Sequence, residues 1–144
     1  LQKIIYIITV LLLIRISVID YKQKIIPDKL NLIVAIVGIV NLILNIQNCK
    51  IYIASAAITF AVFLLLSMLT NGGIGGGDIK LFTALCLIFG GEILLIVAVS
   101  FTFAAVILML KIIFKKVNVR ESIALAPYIC IGTVICLIKI FYIP

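Results

Sequence analysis

Apolar residues run along this chain in long unbroken blocks, and the polar residues collect in the gaps between them. The blocks fall at about 4–19, 27–46, 51–69, 93–110 and 123–142, each 16 to 20 residues long and none alternating with a period of two. They are rich in Ile and Val, which favour strands in water. Length decides for helices: about 20 apolar residues at 1.5 Å each span a bilayer core of roughly 30 Å, whereas barrel strands need only about ten. A sixth block, 79–89, has eleven residues and ends at Gly90-Gly91. That is too short for a straight crossing, so this helix either continues through the glycines or is a short one enclosed by its neighbours. The pattern predicts an all-α, polytopic membrane protein of about six transmembrane helices, the fourth short or broken at Gly90-Gly91. One membrane-embedded domain over 1–144 is expected. Pro27 sets the start of the second helix, and Pro127 lies near the start of the last.

Composition sharpens this picture. Hydrophobic residues make up 66% of the chain and charged ones 12%, with a mean hydropathy of +1.46, far from soluble domains with about a quarter charged. The first block is not a secretory leader, because no small-residue cleavage site follows it and it runs directly into Asp20 and a basic loop. The chain opens on Leu1, so an initiator residue or short leader is expected ahead of it.

The net charge of +7 sits at segment ends, not in a stripe interleaved with aromatics, which argues against nucleic acid. Eight bases (Lys22, Lys24, Lys29, Lys80, Lys111, Lys115, Lys116, Arg120) fall on one predicted face, and three (Lys3, Lys50, Lys139) on the other. This bias makes the first face cytoplasmic and puts Asp20 and Asp78 on it. Cys49, Cys86, Cys130 and Cys136 form no C-x-x-C pair, and histidine is absent. Zinc sites, disulfide frameworks and His-based nucleophile pairs are therefore not expected, and no cofactor or metal is implied.

The densest chemical signal is residues 72–80, where five glycines in six positions lead into Asp78-Ile79-Lys80. Such a run lets another chain approach the backbone closely. It is not a phosphate loop, since no Gly-Lys-Ser/Thr follows. Asp78 alone reads equally well as the N-cap of the next helix. Asp20 ends the first block at the same predicted depth, and a pair of acids near hydrocarbon points to function. Glu92 and Glu121 are read as dipole partners of the helices that follow them, and Asp28 as the N-cap of helix two. Two carboxyls brought together away from bulk water do not both ionise readily. They can share a proton and activate a water for peptide hydrolysis, with an extended peptide laid along the glycine backbone.

Gly75-Gly76-Gly77-Asp78-Ile79-Lys80 resembles the G-x-G-D motif of the type IV prepilin peptidase family, related to archaeal preflagellin peptidases and more distantly to presenilin-like enzymes. Asp20 with Ile26-Pro27-Asp28-Lys29-Leu30 resembles its first aspartate and I-P-N-x-L segment, with Asp28 in place of Asn. Ala126-Pro127-Tyr128 to Gly132 resembles its G-P-F…G final helix. The resemblance implies an aspartic endopeptidase of the cell membrane, with its active site toward the cytoplasm. It would remove the leader of prepilin or pseudopilin precursors for type IV pili or protein secretion. Asp20 and Asp78 would be catalytic, with Gly75, Gly76, Gly77, Lys80 and Pro27 in substrate binding or loop roles. Larger bacterial members add a domain with paired C-x-x-C motifs tied to N-methylation. Nothing like it precedes the first helix here, so methyltransferase activity is not expected. The alternative is a small transporter or channel subunit with cation-binding acids at mid-membrane and a glycine break exposing carbonyls.

Overall fold

The computed structural model describes residues 1–114 and 124–142. Six α-helices follow in order: α1 (Gln2–Gln23), α2 (Asp28–Leu44), α3 (Cys49–Leu69), α4 (Gly76–Phe89), α5 (Ile93–Ile113) and α6 (Ala126–Tyr142). Short 3-10 turns, Ile46–Asn48 and Gly90–Glu92, join α2 to α3 and α4 to α5. No strand occurs among the described residues. Three helical stretches there are long and apolar enough to cross a membrane, Gln2–Gln23, Ile46–Leu69 and Gly76–Ile113, and Ala126–Tyr142 is a shorter apolar helix. The chain is thus an all-helical membrane protein.

The short α4 is the centre of the molecule. It packs between α2 and α3, while α6 packs on both α5 and α1. Eight of its 14 residues are buried, among them Leu81, Phe82, Leu85 and Ile88. Only Ala56 and Phe63 of the 21 residues of α3 are buried. Most of the other α3 residues are apolar and exposed, as a lipid-facing helix requires. Phe63 nonetheless reaches the centre, its ring stacked on Phe82 at 4.9 Å.

A helix end inside an apolar medium leaves carbonyls that water cannot reach. Asn41, fully buried on α2, meets this need by donating from Nδ2 to the carbonyls of Leu87 and Ile88 at 3.0 and 3.2 Å. The helices also approach closely at glycines. A Cβ on Gly38 would stand 2.7 Å from Leu87 Cβ, and one on Gly132 would stand 2.7 Å from Ser100 Oγ and 2.8 Å from the Ile96 carbonyl. Buried hydroxyls such as Thr9 and Thr133 bond back to the carbonyl four residues earlier, each at 2.8 Å.

The bundle has two distinct ends. At one, Tyr6 stacks on Phe89 at 5.3 Å, and Lys139 pairs with Glu92 at 2.7 Å. At the other lie the end of α1 and the starts of α2, α4 and α6. Glu92 stands at the start of α5 as expected, and the ion pair to α6 is an addition to that reading.

Several expected boundaries move. Asp20 does not end α1, which runs on to Gln23 because Tyr21, Lys22 and Gln23 are compatible with a helix emerging from the apolar zone. Lys24 closes it in the left-handed conformation (φ 53°), its N–H donating to the Asp20 carbonyl at 2.7 Å. Asp28 is not the N-cap of α2. Pro27 takes that position, because its extended ψ of 128° suits a cap, and Asp28 is the first helical residue. Expectations for Lys115, Lys116, Arg120 and Glu121, and for a helix start at 123, lie outside the described residues.

Candidate active site

Asp20 and Asp78 line one cavity of about 610 Å³ at the second end of the bundle. Asp20 comes from the last turn of α1 and is 4% exposed. Its Oδ2 accepts the backbone N–H of Ala126 at 2.9 Å. That N–H belongs to the first residue of α6, one of the donors a helix start leaves free, and the positive end of the helix dipole favours a carboxylate there. Ser17, one turn earlier on α1, shares its hydroxyl proton between the Leu13 carbonyl at 2.7 Å and the Ala126 carbonyl at 3.1 Å, a second and weaker link to the same residue.

Asp78 is half-buried in the first turn of α4. It is not the N-cap: Gly75 holds that place, and no side chain caps the helix. The carboxylate folds back toward the cap, so that a Cβ on Gly75 would meet Asp78 Oδ2 at 3.0 Å. Its Oδ1 is buried without a hydrogen-bond partner among the described residues. Glycine at 75 therefore makes room for the carboxylate itself. The turn before it bends sharply, with Asn71 at φ 50° and Gly72 at φ 85°, in the region glycine and asparagine tolerate best.

Gly72 to Gly77 form one wall of the cavity, and Lys24, Ile25 and Ile26 a second. Gly76 faces open space, whereas a Cβ on Gly77 would press on Ile26 Cβ at 3.0 Å. The third wall, Phe101, Ala104, Ala105 and Leu108 of α5 with Leu125, is apolar. No sequence signal marked these α5 residues, which sit inside a uniformly apolar block. Nor was there one for Ala126 as the partner of Asp20, beyond its place in the final-helix motif.

Two expected site residues stand apart. Lys80 points away from the cavity and pairs with Asp28 at 2.7 Å, both side chains largely exposed. Pro27 caps α2 and is not part of the cavity wall. The four cysteines are unpaired and line no part of it.

The fold and site define a helical membrane protein with two aspartates, one of them following a glycine turn, facing a single cavity at one end of the bundle. Residues 7–114 match the type IV leader peptidase family, and the chain belongs to that family. Over 89 residues it is 36% identical to the prepilin peptidase EppA of Methanocaldococcus jannaschii, covering 62% of this chain and 24% of the relative. The chain thus spans about a quarter of the length of that curated relative. No solved structure matches it.

Proposed function

We propose that this chain is an aspartic endopeptidase that cleaves the leader from prepilin-like or pseudopilin precursors. The observation that carries the reading is the convergence of Asp20 and Asp78, from different helices, on one cavity beside the glycine turn. Asp20 already accepts an N–H and suits the base that takes a proton from the attacking water. Asp78 Oδ1, buried with no donor, suits the acid that protonates the scissile carbonyl oxygen. As the C–N bond of the gem-diol breaks, Asp20 gives its proton to the leaving amine and Asp78 takes one back from a diol hydroxyl, which restores the pair with no covalent intermediate. The substrate backbone lies along Gly75 to Gly77, and the apolar wall of α5 receives the hydrophobic segment beside the cut.

The eight-to-three bias of bases orients this end of the bundle toward the cytoplasm, in about six crossings of the cell membrane within one domain. The transporter reading asks for acids near mid-membrane. Asp20 and Asp78 instead occupy a last and a first helical turn.

The direct test is incubation of the purified chain with a prepilin-like precursor, the cut located by mass spectrometry. Asp28→Asn should keep activity within about twofold, because the exposed pair with Lys80 is worth roughly 1 kcal/mol or less. An inactive Asp28→Asn beside an active Asp20→Asn would move the first catalytic role to Asp28. Cleavage should also survive EDTA and replacement of all four cysteines by alanine, apart from packing losses at buried Cys86 and Cys136. Activity abolished by chelation and restored by added metal would overturn the two-aspartate mechanism.

A further inference from the structure

Asn31 lies in the first turn of α2 and is 5% exposed. Its Nδ2 donates to the carbonyl of Gly77, the residue immediately before Asp78, at 3.0 Å. Gly77 also lies close against Ile26, since a Cβ added at 77 would stand 3.0 Å from Ile26 Cβ. The segment that leaves α1 shortly after Asp20 thus grips α4 at the residue next to Asp78, by one packing contact and one hydrogen bond. Asn31 Oδ1, in contrast, is buried with no partner among the described residues. An unpartnered buried oxygen is unfavourable, and the Gly77 carbonyl already belongs to the helical ladder of α4. For packing alone, leucine at this position would serve α2 and α4 better.

Asn41, ten positions along the same helix, shows what a structural asparagine does. Its amide donates to two carbonyls in the last turn of α4, where a helix end leaves carbonyls free, and its Oδ1 accepts from Asn45 Nδ2 at 3.0 Å. Asn41 completes a helix end, whereas Asn31 completes nothing and leaves one of its own atoms unpaired.

We propose that Asn31 is a positioning residue for Asp78, tying the first turn of α4 to the segment after Asp20 and so setting the placement of the two carboxylates. This rests on the cleavage reading above. A misplacement of about 1 Å at a catalytic group lowers turnover by roughly 10²-fold. Asn31→Leu should therefore lower kcat by about that factor with KM nearly unchanged, while the variant melts no lower than the parent. Asn41→Leu should do the opposite, lowering the melting temperature with kcat of the folded fraction retained. Asn31→Ala, which cannot overpack, is measured alongside.

A readout independent of cleavage separates this proposal from the one it rests on. In a chain with its cysteines replaced by alanine, spin labels on Tyr21→Cys, which is exposed, and Gly76→Cys, which meets nothing within 4 Å, report the spacing of the two segments. Adding Asn31→Leu or Asn31→Ala should broaden or shift the interspin distance, and Asn41→Leu should not. If the unaltered chain cleaves no precursor but the distance shifts, the cleavage reading fails and the positioning role stands. An unchanged distance, or a kcat for Asn31→Leu and Asn31→Ala within about twofold of the parent, overturns it. So does a melting temperature that falls with Asn31→Leu as much as with Asn41→Leu while kcat holds.

Discussion

Asp20→Asn and Asp78→Asn are each expected to lower cleavage of a prepilin-like precursor by at least about 10²-fold, the scale of a lost general acid or base. The chain should still insert and fold. Asparagine at 20 keeps an oxygen to accept the Ala126 N–H, so the junction of α1 and α6 is preserved. Asparagine at 78 gives up no hydrogen bond at Oδ1, which has none. What each substitution removes is the ability to take or give a proton. The measurement is the rate of precursor cleavage at matched membrane levels, with melting temperatures alongside. Retention of more than about a tenth of the parent rate by either variant would remove that aspartate from the mechanism. Because two groups working as one unit are not additive, the double variant should be no slower than the slower single one.

Gly132→Leu is expected to have the largest effect on stability. Even a Cβ at 132 would overlap Ser100 Oγ and the Ile96 carbonyl, and a backbone oxygen inside α5 cannot swing aside. Overpacking of this kind typically costs about 1–3 kcal/mol, and leucine adds three more carbons to the same gap. Against a total stability of roughly 5–15 kcal/mol, the melting temperature in detergent should fall clearly. The site should suffer as well. Pushing α6 from α5 displaces Ala126, whose N–H holds Asp20. Gly76→Ala is the matching control: it faces open space, and alanine is a better helix former by about 0.5–1 kcal/mol, so its melting temperature should hold or rise. Equal melting temperatures for the two variants would mean that α5 and α6 do not meet at this glycine.

Unbroken apolar blocks determine helices without reference to any partner, because a backbone in hydrocarbon must satisfy its own hydrogen bonds. A glycine run ending in Asp78, and Asp20 at the edge of the first block, were legible for the same reason: charge is scarce in such a chain and stands out wherever it falls. Which face of each helix turns inward was not legible. In water an amphipathic pattern marks the buried side, but lipid is as apolar as a protein core, so Ala104 and Ala105 on the cavity wall look no different from the outward Val106. Local sequence also put Asp28 and Asp78 at caps, where Pro27 and Gly75 stand. Only the tertiary structure decided that Asn31 and Asn41 hold the two ends of α4, that Lys80 turns to Asp28, and that Ala126 meets Asp20. Each of these pairings joins residues at least 46 apart in the chain, and which ones meet depends on how the whole bundle closes.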